Sequence, residues 1–147
     1  MTLQEKGPIL PPPVLSPTLE AISLSIQSWP GITAATHWDL YNRSKPDGAD
    51  FYVGDDELGH IHLDGEIHIP LNAALAKAVL NAGFAEKFPY GRHWIFTTIR
   101  TKEQAAHARW LFRLSYDRAM GIPAKDLERR VAAYEREASV HSERNRP

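Results

Sequence analysis

The chain has 147 residues, enough for one domain with a sizeable core, and it contains no cysteine. The absence of thiols excludes disulfides, thiolate zinc sites, iron–sulfur clusters and cysteine nucleophiles. Seventeen basic and eighteen acidic residues give a net charge of -1, so no overall field attracts nucleic acid or an anionic membrane. Residues 1–14 lack the apolar core of a signal peptide, and the sequence has no apolar run of membrane-spanning length. We therefore expect a cytoplasmic protein without nucleic-acid or membrane partners.

Three segments follow one another along the chain. Residues 1–15 form a proline-rich arm, which we expect to be extended because its proline run has no backbone donors. An α+β domain is expected over residues 16–121. Residues 122–147 are predicted to form a charged amphipathic helix with a tail that frays from about Ser139.

Helix and strand signals alternate within the domain. Ser16 and Pro17 fit the N-cap and first-turn positions of a helix, and Asn72 and Thr101 fit the N-caps of two more. The polar residues 42–48 indicate a loop. Strands are expected at residues 32–38, 51–53, 58–63, 66–69, 84–88 and 94–99. This order predicts a single antiparallel or mixed sheet of five to six strands, with helices packed on one face and an extra C-terminal helix.

The most informative segment is a predicted hairpin around Gly65, in which polar and apolar residues alternate on both sides of the turn. A two-residue turn would mix the two kinds of residue on both faces. A three-residue turn with a left-handed Gly65 would pair His60 with His68 and His62 with Glu66. That register leaves one face wholly apolar, and burial of this face favours it, because a one-residue slip would expose every apolar side chain.

In that register, directly opposed β-carbons lie about 4.5–5.5 Å apart. His60, His62, His68 and Glu66 then form a candidate site for a divalent transition metal such as Zn, Ni, Cu or Fe. The same face could instead bind a small polar ligand, with His62 and Glu66 as candidate catalytic acid and base. An ordinary solvated sheet face is the third interpretation. The sequence leaves open whether the protein is an enzyme.

A second candidate site lies where the strand at residues 94–99 begins. Arg92, His93 and Trp94 are candidate ligand-binding residues, and the guanidinium suits an anionic group. Trp94 and Phe96 fit a ligand-stacking wall or the core of a central strand. The sequence has no glycine-rich phosphate loop and no flavin motif, so neither a nucleotide nor a flavin cofactor is expected.

The last helix offers a different class of function. Its narrow apolar stripe can pack on the domain or on a second copy of the chain: Leu127, Val131, Tyr134 and Ala138. A non-catalytic interaction module that homodimerises through this helix is therefore the alternative to a binding or enzymatic module.

Four segments, taken in order, resemble one known family. They are Trp29-Pro30-Gly31-Ile32-Thr33, Gly59-His60-Ile61-His62-Leu63-Asp64-Gly65, Ile69-Pro70-Leu71 and Leu114-Ser115-Tyr116. The chain is similar over about residues 17–119 to a family of small microbial proteins called the luciferase family or luciferase domain. The second segment is the most specific. The resemblance implies the same α+β domain, and it assigns no active-site residue to this chain.

Overall fold

The computed structural model describes residues 1–144, which form one six-stranded antiparallel sheet and five helices. The spatial order of the strands is β1-β2-β3-β4-β6-β5. The strands are β1 Ile32–Trp38, β2 Pro46–Val53, β3 Asp56–His62, β4 Glu66–Pro70, β5 Glu86–Lys87 and β6 Trp94–Thr98. The helices are α1 Leu3–Lys6, α2 Pro17–Gln27, α3 Ala73–Asn81, α4 Lys102–Ala119 and α5 Ala124–Arg144. The α+β prediction, with its single sheet and C-terminal helix, is confirmed.

The helix starts follow the local rules read from the sequence. Pro17 occupies the first turn of α2. The side chain of Asn72 accepts a hydrogen bond from the backbone N–H of Leu75 at 2.8 Å and so caps α3. Thr101 and Gln104 cap α4 reciprocally, because each side chain binds the other residue's backbone N–H at 3.1 Å.

One face of the sheet forms the hydrophobic core with α2, α3 and α4. Ile61 and Ile67 are paired across β3 and β4 and are completely buried. The core also includes Phe51, Leu58, Ile69, Leu75, Ile95, Leu111 and Phe112. Helix α5 packs on α3 and α4, and its Leu127 and Val131 are buried. The helices therefore leave the opposite face of the sheet for the polar side chains.

Two expectations about strands need correction. The polar stretch 42–48 is not entirely a loop, because β2 begins at Pro46 and Gly48 already pairs with both neighbouring strands. The strand expected at residues 84–88 shrinks to Glu86–Lys87, which pairs only with β6. In both places the partner strand, rather than local composition, decides where pairing begins and ends.

The ends of the described chain also differ from expectation. Residues 1–15 are not wholly extended, because Leu3–Lys6 forms one helical turn and the Glu5 carboxylate accepts the Thr2 backbone N–H at 2.6 Å. Helix α5 continues past Ser139 to Arg144, and the rest of the predicted tail, residues 145–147, lies outside the described residues. Within residues 1–144, no helix combines the length and apolar character that crossing a membrane requires.

Candidate metal centre

The turn between β3 and β4 sets the register of the candidate site. Gly65 has a φ of 93°, and its backbone N–H donates to the carbonyl of His62 at 3.0 Å. A β-carbon at Gly65 would lie 2.5 Å from the carbonyl oxygen of Ile99, so only glycine fits. His60 pairs with His68, which confirms the predicted three-residue turn. This register places the imidazoles of both strands on the same face.

Three of those imidazoles meet at the Nδ1 atom of His68. The Nε2 atom of His60 lies 3.0 Å from it, and the Nε2 atom of His62 lies 3.3 Å from it. The ring centroids of the three residues are 4.6–4.9 Å apart. The three histidines therefore lie on one face and in contact, as predicted, while their role as metal ligands stays a prediction.

A fourth histidine, which the sequence analysis missed, joins them from β1. The His37 ring stacks on that of His60, with centroids 4.0 Å apart and an interplanar angle of 12°. Between His37 and His62 lies Gly48, which pairs with both and has no side chain to separate the rings. One ring nitrogen from each of His37, His60 and His62 lies within 4.8 Å of the others. We call His37, His60, His62 and His68 the histidine cluster.

Each imidazole of the histidine cluster also contacts a carboxylate, and for His60, His62 and His68 the contact uses the ring nitrogen that does not meet the other two rings. The contacts are His37 Nδ1 to Asp50 at 2.8 Å, His60 Nδ1 to Glu57 at 3.0 Å, His62 Nδ1 to Asp47 at 2.8 Å and His68 Nε2 to Glu66 at 2.7 Å. A carboxylate accepts a hydrogen bond from a ring N–H and so favours the tautomer with its proton on that nitrogen. The inward nitrogens then carry lone pairs.

Glu66, predicted as a metal ligand, lies behind His68 and not beside the converging nitrogens. Its Oε1 atom contacts the Nε2 atom of His68, the ring nitrogen that does not meet His60 and His62. A carboxylate in this position orients a ligating imidazole and raises its basicity.

Electrostatics favours the neutral form of two cluster members. Burial lowers the pKa of His60 well below its ordinary value of 6.5, and the neighbouring His37 lowers it further, while Asp50 acts in the opposite direction. Burial also lowers the pKa of His68, and the hydrogen bond with Glu66 opposes that effect in part. Both rings are therefore neutral at pH 7, which is the protonation state that binds metal ions.

A buried ion pair lies beside the histidine cluster. The ammonium of Lys6 contacts Asp50 Oδ1 at 3.2 Å and Glu57 Oε1 at 2.6 Å. Burial alone would lower the pKa of Lys6, but the two carboxylates raise it by more, so the net pKa lies above its ordinary value. The hydroxyl of Tyr52 reaches Glu57 at 3.3 Å, and burial raises the pKa of that hydroxyl.

The predicted ligand-binding residues divide into two groups. Trp94 borders the histidine cluster, with its ring centroid 5.9 Å from that of His60, and Phe96 pairs with His68 on the same face. These two aromatics therefore belong to the histidine face and not to the core. Arg92 and His93 are exposed, and among residues 1–144 neither side chain forms a hydrogen bond, ion pair or ring contact. The structure does not bring these two to the cluster.

Comparison with known proteins gives one result. Residues 55–115 match the family described as Luciferase domain. The match includes β3, β4 and most of α4, and so His60, His62 and His68, whereas His37 lies outside it. Searches of curated proteins and of solved structures found no match. Residues 55–115 thus match the Luciferase domain family, as the resemblance of the sequence implied, over a shorter stretch than residues 17–119.

Proposed function

We propose that the protein binds one divalent transition-metal ion between the imidazoles of the histidine cluster. The supporting observation is the spacing of the inward nitrogens, since His68 Nδ1 lies 3.0 Å and 3.3 Å from the Nε2 atoms of His60 and His62. Metal–nitrogen bonds of about 2.0–2.1 Å at tetrahedral angles put ligand nitrogens roughly 3.3–3.4 Å apart. A ring nitrogen of His37 lies within 4.8 Å of ring nitrogens of His60 and His62, so His37 is the candidate fourth ligand.

The hydrogen-bond pattern supports a cation for a second reason. A neutral imidazole has one proton, which can serve either the outward carboxylate or the inward neighbour. Outward protons leave three inward lone pairs in close contact, and an inward proton deprives a partly buried carboxylate of its donor. A metal ion bound to the inward nitrogens removes this conflict, because every outward N–H then keeps its carboxylate.

Charge balance also favours a divalent ion. The four carboxylates that contact the histidine cluster are Asp47, Asp50, Glu57 and Glu66. Lys6 contacts two of them. A bound divalent cation reduces the remaining negative charge. Imidazole ligands suit Zn, Cu, Ni and Fe, whereas Mg and Ca prefer oxygen, so we expect Zn²⁺ or Cu²⁺ to bind and Mg²⁺ not to compete.

A small polar ligand is the alternative occupant of the same face. In that case His62 and Glu66 would act as acid and base, and Trp94 would supply a stacking surface near His60. The contact of Glu66 with the outward nitrogen of His68 favours the metal, because a base for a bound ligand needs a free carboxylate on the ligand side.

Metal titration tests the proposal. Protein made without a histidine tag and stripped with a chelator is titrated with Zn²⁺ by calorimetry, and the bound metal is counted by elemental analysis. We expect one ion per chain. Glu66→Gln should weaken Zn²⁺ binding by about 10–100-fold, because it removes the carboxylate that orients His68. His68→Ala removes the ligand itself and should weaken binding by at least about 100-fold.

The exposed His93 provides the matched control. His93→Ala removes an imidazole from the same chain and should leave Zn²⁺ affinity unchanged. Stoichiometry well below one ion per chain, or equal losses in His68→Ala and His93→Ala, would count against the histidine cluster as the site.

Self-association through α5 is the other class of function that the sequence left open. Leu127 and Val131 are buried within the chain, so this half of the apolar stripe is already used. Tyr134 is used as well, because its ring stacks on that of Trp110 with centroids 3.9 Å apart. Ala138 is exposed, and so is the nearby Val140, at 47%, which the predicted stripe did not include; these two residues remain for a second copy. Light scattering of the full chain against Val140→Glu tests this alternative, since a dimer that the substitution dissociates would support it. Truncation after Gly121 is a poorer test because it would uncover the core beneath Leu127.

A further inference from the structure

A second group of ligand atoms lies next to the histidine cluster, and a lysine occupies it. One ligand atom each from Asp50, Glu57 and His60 lies within 4.8 Å of the others. The nitrogen on this side is His60 Nδ1, which is 3.0 Å from Glu57 Oε1 and 3.7 Å from Asp50 Oδ1. The ammonium of Lys6 contacts the same two carboxylate oxygens, at 2.6 Å and 3.2 Å. A cation is therefore already part of this group.

The lysine leaves the group incompletely satisfied. Asp50 is completely buried, and among the described residues its Oδ2 atom has no hydrogen-bond partner. A buried carboxylate oxygen without a donor is unfavourable. An ammonium presents three N–H donors to separate acceptors, whereas a divalent metal ion can bind both oxygens of one carboxylate. The unpartnered oxygen therefore indicates a site better matched to a metal ion than to Lys6.

The lysine lies on a short segment that is held by individual side-chain contacts and not by strand pairing. Leu3 is buried beside Ala35 and Tyr52, and the carbonyl of Pro8 accepts the indole N–H of Trp38 at 2.9 Å. No strand pairing holds residues 3–8, which we call the strap. Because the strap lies outside the sheet and outside the main core, its release would leave the β-sheet intact.

We propose that Asp50, Glu57 and His60 form a second cation site, which the strap fills with Lys6 and which accepts a divalent metal ion when that ammonium leaves. Two carboxylates and one imidazole suit Zn²⁺ or Mn²⁺. If the proposed function also holds, His60 lies between the two ions, with Nε2 toward the histidine cluster and Nδ1 toward the second site. Filling both sites then releases its remaining ring proton to solvent.

Counting bound Zn²⁺ in strap variants tests this site. Lys6→Met keeps the length of the side chain and removes its charge, so the variant should bind one more ion per chain than the wild type. Lys6→Arg retains a cation and should bind no additional ion. Lys6→Met combined with Asp50→Asn should lose the gained ion, because the second site then lacks a carboxylate. Asp50 also contacts His37, so Asp50→Asn alone is counted as the reference for the histidine cluster.

The difference in bound Zn²⁺ between Lys6→Met and the wild type separates the second site from the proposed site in the histidine cluster. Zero ions in the wild type and one in Lys6→Met would support the second site and count against the histidine cluster. One ion in both, with circular dichroism showing that the variant is folded, would overturn the second site alone. Lys6→Gln, which keeps a hydrogen-bond donor, replaces Lys6→Met if the latter does not fold, and the same counts decide the outcome.

Discussion

Acidification should destabilise the metal-free protein because the fold holds His60 neutral. Burial keeps the pKa of His60 well below its ordinary value of 6.5, so between pH 6.5 and 5.5 the unfolded chain binds a proton there and the folded chain does not. Stability rises with pH wherever the unfolded state binds more protons. The contribution of His60 is therefore fully present above pH 6.5 and is lost as the pH falls below it.

The size of the effect follows from the proton count. For a group with an unfolded pKa near 6.5 that stays neutral when folded, lowering the pH from 6.5 to 5.5 removes about 1 kcal/mol of unfolding free energy. The pKa of His68 is also lowered, by burial against the opposing effect of Glu66, so His68 adds at most about the same amount. We expect these two residues together to contribute a loss of roughly 1–2 kcal/mol over this interval.

Urea unfolding of chelator-treated protein at pH 6.5, 6.0 and 5.5 measures this slope. His60→Gln should reduce the loss by about 1 kcal/mol, whereas His93→Ala, which changes an exposed imidazole, should not. The pH range lies above the ordinary pKa values of carboxylates, which limits their contribution. If the unfolding free energy of His60→Gln falls with pH as steeply as that of the wild type, burial of a neutral His60 is not the cause of the loss.

Three substitutions test the scaffold by chemical denaturation. Gly48→Ala should cost roughly 2–4 kcal/mol, because a β-carbon there would lie 1.8 Å from the carbonyl oxygen of Ile61. Gly54→Ala is the control, since a β-carbon there would have nothing within 4 Å, and it should cost about 1–2 kcal/mol. Equal losses of stability in the two variants would contradict the contact at Gly48. Ile67→Ala, at a completely buried position, should cost about 2–5 kcal/mol, and a loss below 1 kcal/mol would argue against a packed core. Asn72→Ala should cost about 1 kcal/mol through loss of the α3 cap, and no loss would show that the cap is dispensable.

The hairpin was predictable because its information is local. The alternation around Gly65 and the left-handed conformation that glycine permits select one register, and that register decides which side His60 and His68 share. The helix starts were predictable for the same reason, since a cap depends on residues three positions apart. The alternation of polar and apolar residues within each strand and the capping residues of each helix were therefore enough to predict the fold class. The same alternation predicted three of the four members of the histidine cluster.

The remaining parts of the site depend on pairing between distant segments. His37 reaches His62 only because Gly48 aligns β1 with β3, and the polar residues around Gly48 suggested a loop. His37 lies in β1 and Asp50 in β2, but no local signal fixes how these two strands align. Lys6 is 44 residues from Asp50 in the chain, and the proline run that follows it suggested an extended arm. Long-range register, rather than residue type, was the missing information.

Anomalous diffraction from crystals soaked in Zn²⁺ tests the central claim most directly, because it locates the ion without reference to the protein model. We predict an anomalous peak about 2.0–2.1 Å from His68 Nδ1 and from the Nε2 atoms of His60 and His62, with Glu66 still bound to the outward nitrogen of His68. A zinc-loaded crystal with its peak elsewhere on the molecule, or with the rings of His60 and His68 turned away from each other, would contradict the account.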